Sequence, residues 1–179
     1  MDALLLSLIL CLSIEADGAL ARHYASLSRS RAGIALIALT GTAIAVSAIA
    51  SLGGAWLRLM LTPEARGVFL AIALVLTGGG LFFRSPQSVK NGSSLMVLAK
   101  MIGAGAGSNA ALLIAATTCW FADPWMAGIG GAIGCVAGCV VGREIAPGHE
   151  KPMRLLRYAL GSVLLLTAFL LAMNALRLM

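Results

Sequence analysis

Charge is what this sequence has least of. Of its 179 residues only 7 are Asp or Glu, 13 are Lys or Arg and 2 are His, so charged side chains make up 11% of the chain. Soluble domains carry roughly a quarter, and a water-facing surface cannot be assembled from so few. No polar stretch is long enough to form a separate soluble domain. No span bears a nucleophile beside a His base and no loop is large enough to build a site outside the membrane, so an enzyme is not expected. The four cysteines, Cys11, Cys119, Cys135 and Cys139, fall in apolar runs and read as small apolar residues rather than a disulfide framework or zinc site. His23 and His149 read as solvated loop residues.

What fills the chain instead is hydrocarbon: 60% of residues are hydrophobic and the mean hydropathy is +0.96. The apolar runs have the length needed to cross a hydrocarbon core about 30 Å thick. Six spans are expected, Ala3 to Ala21, Ala32 to Leu57, Gly67 to Phe83, Ser94 to Thr118, Trp125 to Val141 and Tyr158 to Leu176. Between them, "RHYASLSRSR", "TPEAR", "RSPQSVKNG", "WFADP" and "REIAPGHEKPMR" hold all five prolines and most of the charges. The expected fold class is all-α, a polytopic membrane protein with residues 1–179 as one transmembrane domain.

The net charge of +6 is not a nucleic-acid signal, because the basic residues divide by topology. If the loops alternate sides, one side collects Arg22, Arg29, Arg31, Arg84, Lys90, Arg143, Lys151, Arg154 and Arg157, and the other only Arg58, Arg66 and Arg177. The positive-inside rule makes the first side cytoplasmic and puts both termini outside, as for a protein of a bacterial inner membrane. Trp56, Trp120 and Trp125 then fall at outer span ends, Tyr24 and Tyr158 at inner ends. A cleaved secretory signal ending at Ala21 is disfavoured, since its first residues, Met1 and Asp2, include no Lys or Arg, and Glu15 and Asp17 stand just before the cut.

The two halves of the chain align. An offset of 89 matches Gly41 with Gly130, Ala43 with Ala132, Ile44 with Ile133, Ala48 with Ala137 and Gly53 with Gly142, and an offset of 90 matches Thr77 with Thr167. Three spans per half is an odd number, so a second copy would lie upside down relative to the first. Two inverted three-helix repeats, residues 1–84 and 94–179, are the expected plan. Gly130, Gly134, Gly138 and Gly142 form a stripe on the fifth span, echoed by Gly41, Ala45 and Gly53 on the second and Gly103, Gly107 and Ala111 on the fourth. Such faces let helices approach closely, within one bundle or in a homodimer. Ser47 and Ser51 read as packing or backbone-bonded hydroxyls.

Glu15 and Asp17 lie within the first span, about 9 and 6 Å from its cytoplasmic end at 1.5 Å per residue. An ionisable group at the centre of a span costs about 2.5–3.5 kcal/mol on insertion scales, so these two carboxylates are the candidate cation ligands. On a regular helix they point to nearly opposite faces, and meeting one ion would require unwinding at Asp17-Gly18. Lys100 lies about 8 Å down the fourth span from the same side, which places it within expected reach of Glu15 or Asp17.

In span order and in "EADGAL" (Glu15 to Leu20) the chain resembles the GDT family, small cation/proton exchangers related to the Golgi manganese and calcium transporter. The resemblance implies a six-span inverted repeat in which a Glu-x-Gly-Asp-Lys/Arg-Thr/Ser motif in each half builds the cation site. Here Gly and Asp are transposed, Ala19 and Leu20 replace the basic and hydroxyl residues, and the second-half stretch "KMIGAGAGSN" (Lys100 to Asn109) has no carboxylate. Calcium takes six to eight oxygen ligands and manganese also favours oxygen. Ser108 and Asn109 are the side chains left to supplement Glu15 and Asp17, with Lys100 adding positive charge. The implied function is a secondary transporter of manganese or calcium coupled to protons, with a modified or lost ion site. The partners are the lipid bilayer and an inorganic cation, with no cofactor. Alternatives are a non-transporting membrane interaction protein and an exporter of a small solute.

Overall fold

A computed structural model describes residues 2–15, 19–28, 32–82, 103–105, 107–145 and 150–175. Among the described residues the chain is helical without strands: α1 (Asp2–Glu15), α2 (Ala19–Ser28), α3 (Ala32–Met60), α4 (Pro63–Phe82), α5 (Asn109–Phe121), α6 (Pro124–Ile145) and α7 (Glu150–Ala175). Four of these are long and apolar enough to cross a membrane, over Ala32–Met60, Pro63–Phe82, Pro124–Arg143 and Tyr158–Ala175. They fall on the second, third, fifth and sixth expected spans.

The first and fourth expected spans are described in part, and the fourth is not one continuous helix. α1 has 14 residues and α5 has 13, about 20 Å each at 1.5 Å per residue. Of the first span, Asp2–Glu15 and Ala19–Ser28 are described, both helical. In the fourth, Gly103–Gly105 is followed by a turn at Gly107 and Ser108 before α5 begins. The cause is local: glycine is the poorest helix former after proline, and Ser108, in extended conformation, caps α5 by accepting a hydrogen bond from the Ala111 N–H at 3.3 Å.

The distribution of polarity is compatible with a bundle in lipid. Large apolar side chains point outward, among them Ile37 (75% exposed) and Ile49 (72%) on α3, which in water would be an aggregation surface. The interior instead holds hydroxyls. Thr42 donates to the Ala38 carbonyl and Thr77 to that of Ala73, both at 2.7 Å, and Thr117 and Thr118 both donate to the Ile114 carbonyl, at 3.0 and 2.8 Å. Each of these four hydroxyls finds its partner within its own helix, as suits a medium without water.

The helices pack pairwise, most extensively α1 on α6 and α4 on α7, with α3 against both α5 and α6. Phe82 stacks on Tyr158 at 5.5 Å, joining the end of α4 to α7, and the Arg143 guanidinium sits 5.9 Å from the Tyr24 ring centroid, joining α6 to α2. At the other end the turns are tightly built. Asp123 accepts from the Met126 N–H at 3.1 Å and Thr62 from the Ala65 N–H at 3.4 Å, each just before a proline that starts a helix. Arg58 donates to the Cys119 and Trp120 carbonyls at 3.4 and 3.3 Å, and Arg66 to those of Leu61 and Arg58 at 3.1 and 3.0 Å. These arginines satisfy carbonyls that helix ends leave open.

Candidate functional site

The site is built where α1 meets α6. The buried face of α1 carries Ala3, Ser7, Cys11, Ile14 and Glu15, with three small residues at intervals of four. Opposite them stand Gly130 and Gly134 of the predicted stripe. A Cβ at Gly130 would overlap the Leu4 carbonyl and the Ser7 hydroxyl, and one at Gly134 would overlap the Leu8 carbonyl and reach the Cys11 Cβ at 3.0 Å. The stripe is therefore a packing face, and it brings the two backbones together.

Glu15 sits at the C-terminal end of this contact, 2% exposed. Around it are thiols. Cys11 lies one turn before it, and Cys11 and Cys139 are both within its electrostatic reach. All four cysteines are free and buried. Three of them, Cys11, Cys135 and Cys139, gather with Glu15 along two helices, a convergence that reading each helix separately missed. The signal was present in matching i, i+4 spacings, Cys11 with Glu15 and Cys135 with Cys139.

No family model, curated protein or solved structure matches the chain. The site is read from its own geometry.

The other predicted site residues are placed as follows. Ser108 is half-buried and its hydroxyl serves the cap of α5. Asn109, the first residue of α5, turns toward α4, where a Cβ at Gly80 would come within 2.9 Å of its Nδ2. Asp17 and Lys100, and with them the expected approach of Lys100 to a carboxylate, lie outside the described residues. No group of three or more His, Cys, Asp or Glu side chains is arranged to hold a metal ion among the described residues. His23, expected in a solvated loop, is instead partly buried on α2, while His149 lies outside the described residues.

A second feature lies between α3 and α6, where a groove of about 510 Å³ is lined by Ile44, Ser47, Ser51, Trp125, Gly128 and Ile129 among others. Ser51 is backbone-bonded as expected, donating to the Ala48 carbonyl at 3.0 Å. Ser47 is not: its hydroxyl is buried with no hydrogen-bond partner among the described residues.

Proposed function

We propose that this chain is a membrane-embedded secondary transporter for a cation, with Glu15 as the charged group of its pathway. The observation that carries the reading is the burial of Glu15, 2% exposed, inside a bundle whose outer face is apolar. An ionisable side chain kept at such a place, against the cost of desolvation, is the usual mark of an ion or proton path.

The two-repeat plan supports the same reading. An offset of 89 matches Gly41 with Gly130 and Gly53 with Gly142, and an offset of 90 matches Thr77 with Thr167. In this proposal the halves are inverted three-span units that rock about Glu15, as in the GDT family that the chain resembles, and the side with nine basic residues faces the cytoplasm of a bacterial inner membrane. The cargo is manganese or calcium exchanged for protons, or protons alone where the oxygen ligands fall short. Hard divalent cations need six or more oxygens, which sets Glu15, Asp17, Ser108 and Asn109 a demanding task.

The test is flux in reconstituted vesicles. Wild-type protein is expected to move protons or manganese down an imposed gradient, and Glu15→Gln, a neutral group of the same size, to abolish most of that movement while remaining folded. Equal flux in both removes Glu15 from the pathway.

One observation favours a second reading, a membrane interaction protein that works as a homodimer. Among the described residues nothing lies within 4 Å of where a Cβ would stand at Gly41 and Gly53 on α3, and Ala45 between them is exposed. A small-residue face of this kind suits a second copy. Crosslinking through cysteines introduced at Gly41 and Gly53 in membranes tests it.

A further inference from the structure

Two thiols meet at the α1/α6 crossing, and the transport reading makes no use of them. Cys11 and Cys135 are 0% and 5% exposed and belong to one buried cluster with Ala43, Ala110 and Ile114. They lie on α1 and α6, the most extensively packed pair of helices. The approach is enforced by the backbone, because Gly134, next to Cys135, leaves no side chain between the helices and a Cβ there would sit 3.0 Å from that of Cys11.

The chemistry of the pair selects its ligand. Hard cations such as calcium and magnesium take oxygen, and a structural zinc ion takes four ligands in a tetrahedron, whereas no three such donors are arranged around a point among the described residues. Sulfur ligands select soft ions, copper(I) foremost, and a soft monovalent ion is content with two sulfurs in line. Charge fits as well. If one thiol gives up its proton to the medium, the resulting thiolate and the remaining thiol each donate a lone pair to the cation, and the product is neutral. A neutral complex avoids the cost that any net charge meets in a low-dielectric interior.

We propose that Cys11 and Cys135 form an intramembrane two-thiol site for a soft monovalent cation of the copper(I) class. The inference concerns binding alone and stands whether or not Glu15 carries flux.

Purified full-length protein in detergent, kept reduced and free of oxygen, is titrated with copper(I) against a chromophoric copper(I) chelator, with silver(I) as a redox-inert second probe. Native mass spectrometry counts bound ions. One ion per chain is expected. Cys11→Ser and Cys135→Ser, each close in size to the original, should weaken binding by at least about 100-fold, the upper end of what loss of a mere supporting partner costs a metal site. Cys119→Ser should leave it unchanged, since Cys119 lies at the other end of α5 from Ala110, beside Arg58. X-ray absorption on copper-loaded wild type keeps the question open to test even if a variant fails to fold, and two sulfur neighbours without an oxygen or nitrogen shell are expected. Failure of the wild type to bind, binding kept in both single variants, or a copper shell of oxygen or nitrogen overturns the proposal.

Discussion

Gly134 on α6 lies so close to Leu8 on α1 that a Cβ at the glycine would overlap the Leu8 carbonyl oxygen, and Gly130 stands in the same relation to Leu4. The buried chemistry of the protein follows from this approach. With the backbones in contact at Gly130 and Gly134, α1 and α6 pack closely where Cys11 and Cys135 are buried together with Ile114.

Gly134→Ala should accordingly destabilise the bundle. The added methyl group meets backbone, which cannot rotate away, and overpacking of this kind costs about 1–3 kcal/mol. Gly41→Ala and Gly53→Ala add the same methyl group where nothing among the described residues lies within 4 Å, and should be neutral or gain up to about 1 kcal/mol from helix propensity. Thermal denaturation in detergent ranks the three. A loss at Gly41 or Gly53 equal to that at Gly134 would contradict the ranking and reveal a covered α3 face.

Ala122→Gly should raise stability. Ala122 follows α5 with φ of 64° and ψ of 15°, the sole positive-φ residue other than glycine among the described residues, and its N–H closes the helix on the Thr118 carbonyl at 3.1 Å. An L-residue with a Cβ pays about 1–2 kcal/mol in that region, and glycine does not. An unchanged or lower melting temperature for the variant would show that the Ala122 methyl group makes a compensating contact.

How much of this was legible in advance divides by the range of the interaction. The long helices α3, α4, α6 and α7 follow from apolar length, and the Thr62-Pro63 and Asp123-Pro124 starts from local capping chemistry, all properties of contiguous residues. The glycine stripe on α6 showed in the sequence, but its partner on α1 did not, because Ala3, Ser7 and Cys11 are unremarkable until Gly130 and Gly134 face them. The break before α5 was obscured by hydropathy, since Gly103 to Gly107 is apolar enough to pass as a span while being poor helix. Glu15 stood out as a charge in an apolar run. Its thiol surroundings did not, for they arise from two helices more than a hundred residues apart in the chain.

Arg66→Ala should cost more than its position at a helix end suggests. The guanidinium spans two open carbonyls, Leu61 and Arg58, at 3.1 and 3.0 Å, and hydrogen bonds involving a charged group contribute about 1.5–3 kcal/mol. Lysine keeps the charge without the fork, so Arg66→Lys should recover only part of the loss in a melting experiment. Full recovery by lysine would reduce the role of Arg66 to charge alone.

Ser47→Ala distinguishes an idle hydroxyl from one that awaits a partner. Ser47 is 2% exposed, and its Oγ has no hydrogen-bond partner among the described residues, although it is one turn from Ser51, whose hydroxyl is satisfied by the Ala48 carbonyl. A buried polar atom left without a hydrogen bond costs about 1–3 kcal/mol, whereas loss of a made bond costs about 0.5–1.5 kcal/mol. In detergent, Ser47→Ala should therefore melt higher than wild type and Ser51→Ala lower. Because Ser47 lines the α3/α6 groove, the same pair measured in lipid vesicles carries a second outcome: if a lipid or solute places a polar atom against Ser47, the gain seen in detergent shrinks or reverses. A lower melting temperature for Ser47→Ala in both media would mean that its hydroxyl already bonds within the protein.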